Sequence, residues 1–217
     1  MTTGAIMRIR NAVLVAALVV AGASPALAQR NQLGISYDWS MPMGDMKDFT
    51  DNDSWMGATL DYRMSNGRNM TFGGLLGYYE FYQNIASGAP GSQVNFPQGA
   101  IAGQQYRHVF SIPIMLSAQM FLGDALHKTR PFIGLNGGVM YEKQSADIGI
   151  YTMSTDAWVV AGMPEVGLMF TTSNRTQVNL HARYYFPLSS DNLVSSGGTG
   201  ASFQHLSVGI GIMGRVF

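Results

Sequence analysis

Near the end of the chain a histidine and a serine stand two residues apart, in Phe203-Gln204-His205-Leu206-Ser207. On an extended strand, residues at that spacing point to the same side. An imidazole placed there can take the proton of the neighbouring hydroxyl, which then attacks a carbonyl, provided an acid orients the ring. The same two residues also suit a packed core, as a buried histidine beside a small polar neighbour.

Other groups have the right atoms but weaker spacing. Met41, Met43 and Met46 offer thioethers, which suit Cu(I), yet the chain holds 15 methionines and three of them close together read as apolar side chains. Asp45, Asp48, Asp51 and Asp53 offer oxygen ligands for Ca²⁺, but not at the spacing of an EF-hand loop; they read as a solvated acidic loop. Asn179, His181 and Arg183 alternate on one side of a strand, where a proton relay and plain packing are both open. Ser195-Ser196-Gly197-Gly198-Thr199-Gly200 lacks the Lys-Ser/Thr ending and the strand–helix setting of a phosphate loop. No catalytic, cofactor or metal residue is therefore assigned, and an enzyme is not expected.

What must position these residues follows from composition and pattern. Only 12% of the 217 residues are charged, with 13 Lys plus Arg balancing 13 Asp plus Glu, and there is no cysteine. Zero net charge argues against a nucleic-acid partner held on a broad basic face. Without cysteine there is no disulfide framework and no thiol nucleophile. Few charges and many aromatics argue against disorder. A surface so short of charge is poorly soluble in water, so the chain hides surface in a partner or sits in a solvent other than water.

The first residues have the pattern of a secretory signal. Arg8 and Arg10 precede the apolar run Ala12 to Gly22, and Ser24-Pro25-Ala26-Leu27-Ala28 supplies a small-residue cleavage box. The run is short for a bilayer span. Residues 1–28 are expected to be removed, with Met7 as an alternative start, leaving residues 29–217. That mature part has 11 basic and 13 acidic residues, a net charge of about −2.

In the mature part the dominant period is two. Thr176 to Leu188 places Val178, Leu180, Ala182, Tyr184 and Phe186 on one side and Gln177, Asn179, His181 and Arg183 on the other. The same alternation is read in 33–39, 55–64, 105–122, 132–143, 157–170 and 204–216, and 70–82 is a more apolar, glycine-rich relative. Most of these eight segments exceed the five or six residues of an ordinary strand and match the 9–11 needed to cross a bilayer at a tilt. Their links alternate strictly: 65–69, 123–130 and 172–175 are short, whereas 41–54, 84–102, 145–156 and 189–202 are long. The reading is an all-β, eight-stranded antiparallel transmembrane barrel, with short periplasmic turns and longer external loops. Closure removes the strand edges that hydrocarbon forbids. Eight strands leave a lumen that side chains fill. Asp61, Arg63, Glu80, Arg107, Glu142, Glu165, Arg183 and Arg215 are the charges expected inside, their signs nearly balanced. Trp39, Trp55, Tyr78, Tyr106, Trp158, Tyr184 and Phe186 are candidates for interfacial girdles.

With that pattern, the chain resembles the small outer-membrane β-barrel superfamily that contains the OmpA transmembrane domain, OmpX and OmpW. The likeness covers the mature part and is most specific at the terminus, Gly209-Ile210-Gly211-Ile212-Met213-Gly214-Arg215-Val216-Phe217. In that superfamily a C-terminal aromatic helps the barrel assembly machinery recognise the last strand. Phe217 matches that position, Gly211 and Met213 match alternate positions behind it, and Arg215 departs from the usual aromatic or apolar choice. The resemblance implies residence in the outer membrane, among its lipids and lipopolysaccharide. It also implies a non-enzymatic role in envelope structure, surface interaction through the loops, or membrane assembly. A small-solute conduit, as OmpW-like proteins suggest, is the alternative.

A second, weaker resemblance returns to His205 and Ser207. Phe203-x-His205-x-Ser207 is similar to the F-x-H-x-S motif of outer-membrane lipid A deacylases, which implies histidine as base and serine as nucleophile. Val208 stands where that family has asparagine, and the pair falls on the side read as lumen.

Overall fold

The computed structural model describes residues 30–66, 69–90, 92–96, 99–123, 127–173, 175–188 and 203–216. Residues 1–28, where a signal segment is expected, the stretch Ser195 to Gly200, and Phe217 lie outside the described residues. Eight long strands close into one antiparallel barrel: β1 (Arg30–Met43), β2 (Ser54–Asn66), β3 (Met70–Ile85), β6 (Gln105–Phe121), β7 (Thr129–Ile148), β8 (Tyr151–Thr171), β9 (Thr176–Pro187) and β10 (Gln204–Arg215). Each pairs with its neighbour along the chain, and β1 pairs with β10 to close the ring. Two short strands, β4 (Gln93–Phe96) and β5 (Gly99–Ala102), form a hairpin inside the β3–β6 connection. A single helical turn, α1 (Asp45–Phe49), lies between β1 and β2. Among the described residues no helix is long and apolar enough to cross a membrane.

Alternation of side chains decides which side is which. On β6 the burial alternates almost without a break from Gln105 to Phe121. The buried row holds Gln105, Arg107, Ser111, Ser117 and Gln119, and the outward row holds Ile114, Leu116 and Met120. The arrangement is the reverse of a water-soluble barrel: polar groups are inside and large apolar groups outside. Ile35 is 64% exposed and Leu135 67%. A water-soluble monomer rarely exposes more than a few hundred Å² of contiguous apolar surface, whereas here the apolar band runs over all eight strands. Its solvent is lipid.

The structure changes three parts of the sequence reading. Residues 145–156 are not a long loop; β7 and β8 continue as a paired ladder to Ile148↔Tyr151, turning at Gly149 with φ 61°. Beyond the bilayer a strand needs no apolar face, so Ser145, Asp147, Ser154 and Asp156 gave no alternation to read. β1 extends to Met43, which puts Met41 and Met43 in the strand and not in a loop. Glu80 faces outward on β3, where Tyr78 donates to it at 2.6 Å and His108 Nε2 lies 3.3 Å away. The sequence could not place it, because β3 carries aromatics on both sides, Tyr79 and Phe81 inward and Tyr78 and Tyr82 outward.

Candidate functional site

The polar rows of the strands converge in the lumen on one ion cluster. Arg183 on β9 is fully buried and uses its whole guanidinium. Nε donates to Glu165 Oε1 on β8 (3.0 Å), Nη1 to Thr59 Oγ1 on β2 (2.8 Å), and Nη2 to both oxygens of Asp61 (3.2 and 3.1 Å). Arg63, two residues beyond Asp61, donates to Asp61 Oδ1 at 3.2 Å and lies 3.6 Å from Glu165 Oε1. Its guanidinium carbon sits 5.6 Å from the Phe132 ring centroid. Gln119 on β6 donates to the second Glu165 oxygen at 2.6 Å and accepts from Thr71 on β3 at 3.3 Å.

A second limb runs from Asp38 on β1. His181 Nε2 bonds Asp38 Oδ1 at 2.7 Å, and Tyr79 donates to Oδ2 at 3.2 Å. The Tyr79 and Tyr185 hydroxyls share a hydrogen bond of 2.8 Å. Arg183 Nη1 is 3.9 Å from Asp38 Oδ2, which joins the two limbs. Buried charges are tolerable only with close partners that satisfy their remaining hydrogen-bonding positions, and here carboxylates from β1, β2 and β8 surround guanidiniums from β2 and β9. Space for the cluster comes partly from β10, where a side chain at Gly209 would collide with Asp38 Oδ1 and His181.

Apolar layers close the lumen on both sides of the ions. Toward the short turns, Phe121, Phe132, Met169 and Met213 pack together. Toward the long loops, the His205 ring stacks on Tyr185, with centroids 4.3 Å apart and planes at 8°, and touches Tyr79, Phe81 and Phe203. Above them α1 turns into the mouth, burying Met46 and Phe49. Arg107 fixes it there, donating to the carbonyls of Phe49 (2.7 Å) and Asp48 (3.4 Å), with its guanidinium carbon 5.2 Å from the Phe49 ring centroid.

The candidates of the sequence fare differently. Asp61, Arg63, Glu165 and Arg183 meet in the cluster, as their shared side suggested, and Arg107 and Glu142 are also buried in the lumen. Arg215 does not join them: it follows the inward row as the last residue of β10, at the rim, and is exposed. Asp38, Tyr79 and Tyr185 are members the sequence reading did not list among the lumen groups. Asp38 falls on the polar side of 33–39, opposite Ile35, Tyr37 and Trp39, as the alternation reads; the tyrosines carry no polar signal. His181 belongs to the cluster through Asp38. His205 and Ser207 are both fully buried in the lumen, and neither ring nitrogen nor the hydroxyl has a hydrogen-bond partner. They form no dyad and face away from lipid. Met46 is a core residue while Met43 is exposed, so the methionines make no cluster. Asp45, Asp48, Asp51 and Asp53 are all exposed, and among the described residues no three acidic or histidine side chains are placed to hold a metal.

Outside, the aromatics gather at the long-loop end. Tyr78, Phe110, Tyr141 and Trp158 form a row across β3, β6, β7 and β8, with centroids 5.3 to 6.3 Å apart. Trp39 stacks on Trp55 at 5.6 Å, Tyr184 on Phe186 at 6.0 Å, and Tyr106 on Tyr82 at 6.3 Å. Amphipathic rings collect at the membrane–water boundary, so this belt marks the external edge of the lipid.

A closed eight-stranded wall, a lipid-facing exterior and a filled polar lumen define a transmembrane β-barrel of the outer-membrane type, and its place is the outer membrane. No protein-family model and no curated protein matches the chain. Among solved structures it is similar to neisserial surface protein A, at 10% identity and a TM-score of 0.53 over 88% of this chain and 99% of that one. It is also similar to outer membrane protein W of E. coli (18% identity, TM-score 0.45, 88% and 100% covered). A third is Ail, the attachment invasion locus protein of Yersinia pestis (10%, 0.44, 85% and 97%). The first of these likenesses establishes a shared fold.

Proposed function

We propose that the protein is a non-enzymatic, non-conducting outer-membrane scaffold. Its work is envelope support, surface interaction or membrane assembly, done by the surfaces it holds on either side of the lipid. The observation that carries this reading is the Arg183–Asp61–Glu165–Arg63 cluster, which ties opposite walls of the lumen together between two apolar layers. A conduit would need all three layers to part. The tall side of the barrel supports surface interaction: β7 and β8, at 20 and 21 residues, outrun the 12 residues of β9 and β10 and carry their ladder beyond the aromatic belt. The belt itself is set to meet outer-leaflet lipid and lipopolysaccharide. The strand that ends near Phe217 is the part we assign to recognition by the barrel assembly machinery.

Conductance in planar bilayers tests the central claim. The expected record has no discrete steps; reproducible unitary channels would defeat it. Proteins copurifying from native membranes in mild detergent would direct the choice among the three roles.

A further inference from the structure

The two ends of the barrel carry opposite charge. At the long-loop end stand Asp45, Asp48, Asp51, Asp53, Asp147 and Asp156 against Lys47 and Lys143. At the short-turn end the described residues include Arg30, Lys128, Arg130, Arg175 and Arg215 and no acidic side chain. The basic residues at this end are neighbours in space because the backbone joins their carriers. Thr171 at the end of β8 donates its N–H to the Lys128 carbonyl (2.8 Å), and the Arg215 N–H donates to the Arg175 carbonyl (2.9 Å). Val216 donates to Asn31 at the start of β1 (2.9 Å). Lys128, Arg175 and Arg215 therefore lie along one arc of the rim, over β7 to β1.

All three side chains are exposed, and none makes a salt bridge among the described residues. Arg130 next to them is held over the Phe121 ring at 4.5 Å and bonds Asn69 at 3.1 Å. Like charges brought together repel one another until an anion lies among them. What adjoins the arc is fixed by the fold. Leu33, Met120, Leu122 and Val216, at the same end of the wall, are exposed apolar groups of the lipid-facing band. The charges thus sit where that band ends, at headgroup level, and not on a projection into the periplasm.

We propose that the short-turn rim, through Lys128, Arg175 and Arg215, is a binding surface for the anionic phospholipid headgroups of the inner leaflet. Flexible lysine and arginine stems at the end of the wall let the charges reach across the rim to the phosphates. The headgroups supply the negative charge the rim lacks, and the acidic end is kept in the opposite aqueous phase.

The test uses the full protein in nanodiscs of mixed phosphatidylcholine and phosphatidylglycerol. Lipid retained after mild detergent extraction is measured by mass spectrometry. Phosphatidylglycerol should be enriched over its share of the disc. The variant K128Q/R175Q/R215Q should lose that enrichment, with a decrease on the order of fivefold or more, while K47Q/K143Q at the other end should keep it. In the unmodified protein the enrichment should also collapse at about 1 M salt, where the Debye length is ~3 Å, a check that does not depend on any variant folding. Equal retention of the two lipids by the unmodified protein would overturn the proposal, as would enrichment that survives the triple substitution. Capture of an acidic periplasmic protein without lipid enrichment would overturn it too.

Discussion

Arg183 on β9 and Asp61 on β2 meet in the lumen through two hydrogen bonds of 3.1 and 3.2 Å, although their strands are three places apart around the barrel and 122 residues apart in sequence. Their strands are not paired with each other in the sheet. The contact exists only because eight strands close into a ring narrow enough for one guanidinium to span.

Removing one partner should expose the cost of that arrangement. Arg183→Leu leaves Asp61, Glu165 and Asp38 without their main cation in a space closed to water. Uncompensated buried charge of this kind costs about 3–5 kcal/mol. The expected outcome is a lower midpoint for urea unfolding in lipid vesicles and a lower temperature for the heat-modifiable shift on gels. Arg183→Lys should be nearly as damaging, since a single ammonium cannot replace three directed contacts.

Gly137 and Gly138 offer a paired test of packing in β7. A Cβ on Gly138 would run into the backbone carbonyl of Ile114, which cannot move without disturbing the β6 ladder, whereas a Cβ on Gly137 meets nothing within 4 Å. Gly138→Ala should destabilise by about 1–3 kcal/mol in the same unfolding assay. Gly137→Ala should be neutral or slightly stabilising, because the chain loses less entropy on folding. Equal effects would contradict the close approach.

The helical turn in the mouth depends on Arg107. Arg107→Ala removes the Nη1 donor to the two carbonyls at its end and the cation over Phe49. Hydrogen exchange should report faster opening, with protection of the Thr50 amide, which bonds Met46, reduced on the order of tenfold for a charged hydrogen bond. The barrel strands should keep their protection.

Ser207→Ala tests the hydrolase alternative. A buried hydroxyl without a partner contributes little, so stability should change by about 1 kcal/mol or less. The lipid A mass profile of cells expressing the protein or this variant should match that of cells lacking it. A serine-dependent loss of acyl chains would restore the enzyme reading.

Much of this barrel was legible in the sequence because lipid imposes a strict rule on a crossing strand. Leu180 and Ala182 must face out if Asn179, His181 and Arg183 face in, so the period of two and the strand number could be read directly. The rule lapses where its cause does. Above the lipid, residues 145–156 need no apolar side, and their strand went unread. In β3 the aromatics on both sides hid which way Glu80 points. Partners across the lumen were beyond reach for a different reason: period two assigns a side but not a height. Asp61, Glu165 and Arg183 were legible as inward charges, but which of them meet is set by register around the closed ring. That register also decides that His205 lies against Tyr185 with no partner for its nitrogens, and that Arg215 ends at the rim. The sequence by itself determined a lipid-facing wall with a polar inside. Only closure decided that the inside is a single ion-paired plug, because a contact between facing strands is a property of the ring's diameter and stagger, which no one segment contains.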